Sequence, residues 1–266
     1  MSNPGLLAGK RGLVIGVAND HSIAWGIAAV AAENGADLAF TYQSGFEKRV
    51  APLAEKVGAN HVLPLNAEDD ASIDAVFDHL GRSWDSLDFV VHSIAYSDKN
   101  ELNGRYLDTS RANFALTLDI SCFSFSAIAR CAAPLMTEGG SLLTLTYSGA
   151  ERVMPNYNVM GVAKAALEAS VKYLAVDLGA DGIRVNAISA GPMRTLAGSA
   201  VGGARQVYKW SAEYSPLRRN TQLDDIGGTG LYLLSDLSVA VTGEVMHVDS
   251  GYNIVGVPDL LRHRDP

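Results

Sequence analysis

Short apolar runs alternate with longer helix-like stretches along the whole chain. The runs show little polar alternation, which is typical of strands that are covered on both faces. Strict alternation of strand and helix predicts one parallel sheet joined by right-handed crossovers, so all 266 residues are expected to form a single α/β domain. We expect seven strands, at Arg11–Ile15, Asp37–Tyr42, His61–Leu65, Leu87–His92, Ser141–Thr146, Ile183–Ile188 and Glu244–Val248.

The intervening stretches predict helices that cover both faces of a doubly wound sheet. The least regular connection is Gly191–Ser215, which is longer than a usual loop and therefore favours a functional lid. We place this lid at about 195–215. The helices are expected at Ser22–Asn34, Phe46–Val57, Ser72–Leu80, Arg111–Leu135, Tyr157–Leu178 and Asp224–Leu234.

Composition narrows the classes of protein that fit this pattern. The net charge of −8 and the pI near 5.2 argue against nucleic acid as the main partner. The chain begins with no secretory signal pattern, and apolar runs such as Ile23–Ala32 stop short of membrane-spanning length. A soluble, cytoplasmic protein is therefore expected.

The cysteines and histidines predict neither a disulfide nor a metal site. Cys122 and Cys131 fall on one predicted helix, where nine residues place them on opposite faces and about 13 Å apart along the axis. That separation excludes a disulfide between them. The six histidines show no metal-ligand spacing, so no metal is expected.

The first strand is followed by residues suited to a nucleotide. Gly16 allows a tight turn at the strand end, and Ser22 is a good N-cap for a helix whose free N–H groups would face a pyrophosphate. The segment lacks the G-x-G-x-x-G fingerprint, so it also fits an ordinary turn into a capped helix.

Two other predicted strand ends lie at the same edge. Gln43 follows the second strand, where dinucleotide folds place a residue that contacts the ribose. No cation follows immediately, which favours NADH over NADPH, although Gln43 also fits a solvated strand end. Ser93 and Ile94 follow the fourth strand, and small residues there would admit a cofactor.

A phenol and an ammonium are spaced for one helical face. Seven residues separate Tyr157 from Lys164, which is close to two turns of a helix. Tyr147 precedes this pair by ten residues. A nearby ammonium favours the ionised form of a phenol, so the pair suggests acid catalysis on an oxygen that gains negative charge.

These segments together resemble the short-chain dehydrogenase/reductase superfamily over essentially the full length. The resemblance is more specific to the NADH-dependent enoyl-[acyl-carrier-protein] reductases of bacterial type II fatty acid synthesis. It implies a Rossmann-type fold. The segments that carry it are Gly16…Ser22-Ile23-Ala24-Trp25-Gly26, His92-Ser93-Ile94-Ala95, Tyr147…Tyr157…Lys164, Arg184–Thr195 and Thr242–Gly251.

The resemblance also implies which residues contact NADH and substrate. Asn66 and Ala67 stand where the family usually has Asp-Val beside the adenine, and Met193 replaces a more usual Ile beside the nicotinamide. Ser97, Tyr147 and Tyr157 would contact the substrate. The cofactor contacts would be Gly16, Ser22, Ile23, Gln43, Asn66, Ala67, Ser93, Ile94, Lys164, Met193, Arg194, Thr195, Leu196 and Ala197.

The tyrosine spacing separates two kinds of substrate within this superfamily. Carbonyl-reducing members carry their tyrosine four residues before the lysine, and Met160 occupies that position here. Tyr157 lies one turn earlier, about 4.5 Å along the helix. In an enoyl thioester, hydride goes to C3 and charge appears on the more distant thioester oxygen, so a displaced donor fits the longer reach.

The implied roles follow from this comparison. Tyr157 would stabilise or protonate the enolate, Lys164 would hold the nicotinamide ribose and lower the pKa of the phenol, and Tyr147 would line the pocket. The alternatives are a carbonyl reductase or alcohol dehydrogenase, which Met160 disfavours, and a cofactor-binding regulatory protein without activity, which Tyr157 and Lys164 disfavour.

Partners are implied by the same resemblance. The cations Arg205, Lys209, Arg218 and Arg219 cluster in an otherwise acidic chain, and acyl carrier proteins are acidic, so a docking surface is one interpretation. A solvated mixed-charge face is the other. A homotetramer is implied, with the apolar C-terminal segment at an interface.

Overall fold

One seven-stranded parallel sheet organises the chain. The computed structural model describes residues 5–199 and 202–257. The strand order is β3-β2-β1-β4-β5-β6-β7, and every pairing is parallel. The predicted doubly wound α/β fold is therefore confirmed. The strands are β1 (Arg11–Ile15), β2 (Asp37–Tyr42), β3 (His61–Pro64), β4 (Phe89–His92), β5 (Gly140–Thr146), β6 (Ile183–Ala190) and β7 (Val245–Val248).

Helices cover both faces of the sheet. The helices that were predicted begin and end within a few residues of their predicted bounds. Helices α4, α8 and α9 were not predicted. The helices are α1 (Ile23–Glu33), α2 (Glu47–Lys56), α3 (Asp70–Ser83), α4 (Lys99–Leu102), α5 (Arg111–Leu118), α6 (Ser124–Ala132), α7 (Asn158–Leu178), α8 (Leu196–Ser199), α9 (Ala204–Tyr214) and α10 (Leu223–Leu234).

Two hydrophobic cores explain why the strands read as continuous apolar runs. Leu13 and Ile15 of β1 pack into the core beneath α3, α6 and α7, whereas Val14 between them packs into the core beneath α1, α2 and α10. Successive side chains of a strand point to opposite faces, so a strand between two helical layers needs apolar residues at both.

The long helix predicted at Arg111–Leu135 contains a π-helical turn. Residues Asp119–Phe123 form this turn between α5 and α6. By length and composition, this stretch is the one described helix able to cross a membrane. Half of its most apolar window is buried inside the fold, as in a core helix of a soluble protein. Cys122 and Cys131 are free, as expected.

The stretch Gly191–Ser215 is more regular than its sequence suggested. Helix α9 begins directly after Gly203, which adopts φ +79° in the left-handed region. The glycines at 202 and 203 therefore precede a helix instead of continuing an irregular loop. Residues 200 and 201 of the proposed lid, and 258–266 of the C-terminal segment, lie outside the described residues.

Candidate active site

The carboxyl ends of β1 and β4 meet with almost no space between them. Gly16 adopts φ +98°, and a Cβ atom at this position would lie 2.0 Å from the Ser93 carbonyl oxygen. The Ser93 amide donates to the carbonyl of Ile15 at 3.0 Å. Only glycine combines this φ with such a close approach. The two predicted cofactor residues are thus brought together at the switch point of the sheet.

The start of α1 is open to an anion. Ser22 occupies the predicted N-cap position, but its hydroxyl accepts hydrogen bonds from the amides of Ala18 and Asn19, at 3.0 and 3.1 Å, instead of capping the helix. The first turn of α1 also carries no acidic residue. Uncapped N–H groups and the positive end of the helix dipole therefore remain at the β1 edge. Ile23 is the first residue of this helix.

The ends of β2 and β3 carry the residues expected beside the adenosine. Gln43 and Asn66 are exposed, and Ala67 is half-buried. The Asn66 side-chain oxygen accepts from the Glu68 amide at 3.3 Å, which orients the side chain within its own turn. These positions lie at the same edge of the sheet as Gly16, on the side of β2.

The segment after β6 crosses this edge from the other side. Met193 packs against the core, and the Arg194 guanidinium lies over the Tyr208 ring at 4.5 Å from its centroid. The Thr195 hydroxyl accepts from the Gly198 amide at 2.9 Å and so opens α8. Leu196 is 45% exposed. The backbone of position 197 lies in α8, whereas its side chain lies outside the described part of the chain.

Tyr147 and Tyr157 contact each other directly. Their ring centroids are 5.3 Å apart and their planes are inclined by 72°. Tyr157 is the residue immediately before α7, one position outside the predicted helix start. Its ring fills the space beside Gly149, where a Cβ atom would lie 2.4 Å from Cδ1 of Tyr157. Gly149 was missed in the sequence because nothing local marks a glycine that makes room for a distant ring.

Lys164 is a buried cation on α7. Its side chain is only 6% exposed, and Nζ donates to the carbonyl of Leu145 at 2.8 Å. Burial lowers the pKa of Lys164 to about 8, and the charges of Cys122 and Glu168 oppose that fall. The ammonium has two further hydrogens to donate.

The expected effect of Lys164 on the phenols is not found. Burial, and then the charge of Glu168, raises the pKa of Tyr157 well above its usual range. Burial, followed by interactions with the Tyr252 hydroxyl, likewise raises the pKa of Tyr147. The prediction of a lowered phenol pKa is therefore wrong, because desolvation disfavours the phenolate and the charge of Lys164 is not among the causes that act on either phenol.

Met160 cannot substitute for a proton-donating tyrosine. It is 6% exposed and packs with Leu102 and Val159 in a small apolar cluster, against which Tyr157 also lies. A thioether has no proton to donate. Tyr157 thus supplies the phenol at this end of α7.

Comparison with known proteins agrees with this arrangement. A sequence model described as "Enoyl-(Acyl carrier protein) reductase" matches residues 16–253.

The chain belongs to the enoyl-acyl-carrier-protein reductase family.

Curated relatives and solved structures match nearly the whole chain. Two proteins of Rhizobium meliloti (strain 1021), named enoyl-[acyl-carrier-protein] reductase [NADH] 2 and 1, are 62% and 61% identical over 257 and 267 residues. The alignments cover 96% of both chains in the first case and 98% of both in the second. The crystal structure of the Anaplasma phagocytophilum reductase, in complex with NAD, is 58% identical, with a TM-score of 0.94 over 98% of this chain and 100% of that one.

Ser97 of this reductase is committed to internal hydrogen bonds. Its hydroxyl accepts from Thr117 Oγ1 at 2.9 Å and lies within 3.3 Å of the Asn113 side-chain oxygen. Both partners belong to α5, so the side chain fastens the loop after β4 to that helix. The structure therefore directs the polar group of Ser97 toward α5.

His92 is a buried histidine whose hydrogen-bond partners the sequence did not reveal. It is fully buried, with Nδ1 2.8 Å from Thr144 Oγ1 and Nε2 2.9 Å from Ser124 Oγ. Ser124 donates its own proton to the Ile120 carbonyl at 2.6 Å, so Nε2–H of His92 is the donor to Ser124. Burial, and then the charge of Lys164, lowers the pKa of His92 to about 3, so the ring is neutral.

Glu168 is a second residue that sequence analysis missed. It lies half-buried on α7 and accepts a hydrogen bond from Thr146 Oγ1 at 2.6 Å. Burial raises its pKa, while the hydrogen bond from Thr146 opposes that rise. A helical carboxylate four residues after a lysine was a visible signal, but the same spacing is common on solvated faces.

Proposed function

We propose that the protein reduces the C2=C3 double bond of trans-2-enoyl thioesters on acyl carrier protein, using NADH, in fatty acid elongation. The observation that carries this proposal is the pair of contacting tyrosines at the start of α7, followed on that helix by the buried Lys164, with Met160 in place of the alternative donor. Family membership over almost the full length supports the same reaction.

The edge of the sheet fits a dinucleotide. The turn at Gly16 has no room for a side chain, and the uncapped start of α1 offers N–H groups to a pyrophosphate. When bound, NADH supplies the hydride that goes to C3. The residues that would hold it are Gly16, Ser22, Ile23, Gln43, Asn66, Ala67, Ser93, Ile94, Lys164, Met193, Arg194, Thr195, Leu196 and Ala197.

Tyr157 acts as the hydrogen-bond or proton donor to the enolate oxygen. Its raised pKa keeps the phenol protonated at neutral pH, which is the form that can donate. A donor in a desolvated site stabilises developing negative charge more strongly than the same donor in water. Burial therefore supports the role of hydrogen-bond donor, whereas the raised pKa makes transfer of the proton itself less favourable.

Lys164 and Tyr147 orient the reacting groups. With one hydrogen directed to Leu145, Lys164 retains donors for the nicotinamide ribose hydroxyls. Tyr147 packs edge-on against Tyr157 and restricts the orientation of its ring while lining the acyl pocket. The chain has no proton donor at position 160, where a carbonyl reductase would need one, so Met160 disfavours that alternative.

The segment 195–215 serves as a lid over the acyl chain. Trp210 of α9 packs edge-on against Tyr252, with ring centroids 5.3 Å apart, and Asn156 donates to the Gly202 carbonyl at 2.9 Å. Both contacts tie the described part of the lid to residues beside Tyr147 and Tyr157. Closure would exclude water from the developing enolate.

Acyl carrier protein is the partner that the substrate implies, and its docking surface is the exposed side of α9. Arg205 and Lys209 are exposed and four residues apart on this helix. Arg219 is engaged in an ion pair with Asp225, at 2.5 and 2.9 Å. We also propose a single cytoplasmic catalytic domain that assembles as a homotetramer.

Replacement of Tyr157 by Phe tests the proposed chemistry. We expect kcat to fall at least about a hundredfold, the usual scale for loss of a general acid, with little change in the Kd for NADH. NADH oxidation with crotonyl-CoA, beside a matching β-ketoacyl thioester, also separates the reductase from the alternatives. Reduction of the ketone, or no thioester-dependent oxidation at all, would contradict the proposal.

A further inference from the structure

Two consecutive residues at the end of β5 are fastened to α7. The Leu145 carbonyl accepts from Lys164 Nζ at 2.8 Å, and the next residue, Thr146, donates from Oγ1 to Glu168 Oε1 at 2.6 Å. Thr146 and Lys164 are buried, at 5% and 6% exposure. Bonds of this length to charged groups in a desolvated setting are strong and directional.

The residue that follows these two in the chain belongs to the tyrosine pair. Tyr147 comes immediately after Thr146 and contacts Tyr157, which precedes α7. A shift of α7 along β5 would therefore move Tyr157 relative to Tyr147. The bond between Thr146 and Glu168 resists such a shift.

Glu168 also contributes negative charge near the buried lysine, after Cys122. It lies four residues after Lys164, on the same face of α7. Burial of an ammonium favours its neutral form, whereas a nearby carboxylate favours the charged form. Among the described residues, Glu168 is the carboxylate whose charge raises the pKa of Lys164.

Other charged groups also act on Glu168. Glu151, which follows β5, and His247 of β7 approach each other at 3.4 Å. Both affect the pKa of Glu168, in opposite directions, and Lys172 on α7 lowers it. On the other side, Lys164 is also near His92 and Cys122, and the ring of His92 is neutral.

We propose that Glu168, held by Thr146, is a positioning residue that keeps Lys164 charged and fixes the Tyr157 end of α7 against β5. The inference rests on the proposed reductase function, because it assigns Glu168 a role through Lys164. Glu168 itself touches neither substrate nor cofactor in this role.

The first test removes the charge with Glu168→Gln. We expect the alkaline limb of the kcat/KM profile to move to lower pH by about one unit, because Lys164 and Tyr157 both lose their protons more easily without the carboxylate. On the alkaline side this corresponds to about tenfold lower kcat/KM. The Kd for NADH should rise over the same pH range. Asp177→Asn is the matched control, since it removes an exposed carboxylate from the same helix.

The second test separates the hydrogen bond from the charge. Thr146→Val removes the donor to Glu168, and Thr146→Ser retains it. We expect the valine variant to lower kcat/KM about tenfold at neutral pH, and the serine variant to stay close to the wild type. Neither substitution adds or removes a charged residue. This pair also decides the question if Glu168→Gln does not fold.

The outcomes distinguish this inference from the proposed function. If the wild-type protein oxidises no NADH with an enoyl thioester, the proposed function fails. If the wild type is active but Glu168→Gln keeps both the wild-type alkaline limb and NADH affinity, the charge role is refuted. Equal kcat/KM for Thr146→Val and Thr146→Ser would refute the positioning role.

Discussion

The turn at Gly16 makes a quantitative prediction about both stability and cofactor binding. In Gly16→Ala, the new Cβ atom would lie 2.0 Å from the Ser93 carbonyl oxygen, and the backbone would have to keep φ +98°. The left-handed conformation costs a non-glycine residue about 1–2 kcal/mol. Relieving the collision costs about 1–3 kcal/mol more.

Gly58→Ala is the matched control for this experiment. Gly58 has φ +70°, and nothing lies within 4 Å of the position that a Cβ atom would take. It therefore incurs the conformational cost without the collision. The difference between the two variants is the collision, about 1–3 kcal/mol, or about 2–12 °C in Tm for a chain of this size.

Thermal melting by circular dichroism and titration with NADH measure the two effects. We expect Gly16→Ala to melt below Gly58→Ala and to bind NADH more weakly, because relief of the collision moves the β1 turn away from Ser93. Gly58→Ala should retain wild-type NADH affinity. Equal melting temperatures for the two variants, together with unchanged NADH affinity, would refute the assignment of this turn to the cofactor.

Three further perturbations test other parts of the structure. Reversal of Arg205 and Lys209 to Glu should raise KM for an acyl-carrier-protein substrate but not for crotonyl-CoA; equal effects on both would contradict docking on α9. The pKa of His92 is about 3 in the folded protein and 6.5 in the unfolded chain. The free energy of unfolding should therefore be highest above pH 6.5 and decrease by about 1.4 kcal/mol for each pH unit below 6.5. Urea midpoints at pH 7 and pH 5 measure this slope, which should flatten in His92→Gln. Gly149→Ala should lower kcat strongly and Tm only slightly, because a Cβ atom there would lie 2.4 Å from the Tyr157 ring. Unchanged kcat would contradict the inference that Gly149 makes room for that ring.

Secondary structure was largely predictable because its signals are local. The bounds of β1 and β2 agree with the sequence pattern to the residue. Apolar runs and helix periodicity depend on near neighbours, which the sequence shows directly. Helix α9 was missed because the glycines before it suggested an irregular segment.

The candidate site was predictable where residue type and spacing carry the chemistry. The spacing of Tyr157 and Lys164 placed both near the start of one helix, and the family resemblance implied that Met160 stands where carbonyl-reducing members have a tyrosine. The sequence did not determine the direction of the phenol pKa, because that depends on burial. The spacing predicts a nearby cation, and only the packed structure shows that desolvation opposes ionisation of the phenol.

Contacts between distant segments were decided by the tertiary structure. The approach of Gly16 to Ser93, the bond from Thr146 to Glu168 and the two partners of His92 each join residues that are far apart in sequence. Parallel sheet pairing brings the carboxyl ends of separate strands to one edge, and helix packing then fixes which side chains meet there. The sequence by itself determined the pattern of elements and the reactive residue types, whereas the packed sheet decided their partners and their protonation.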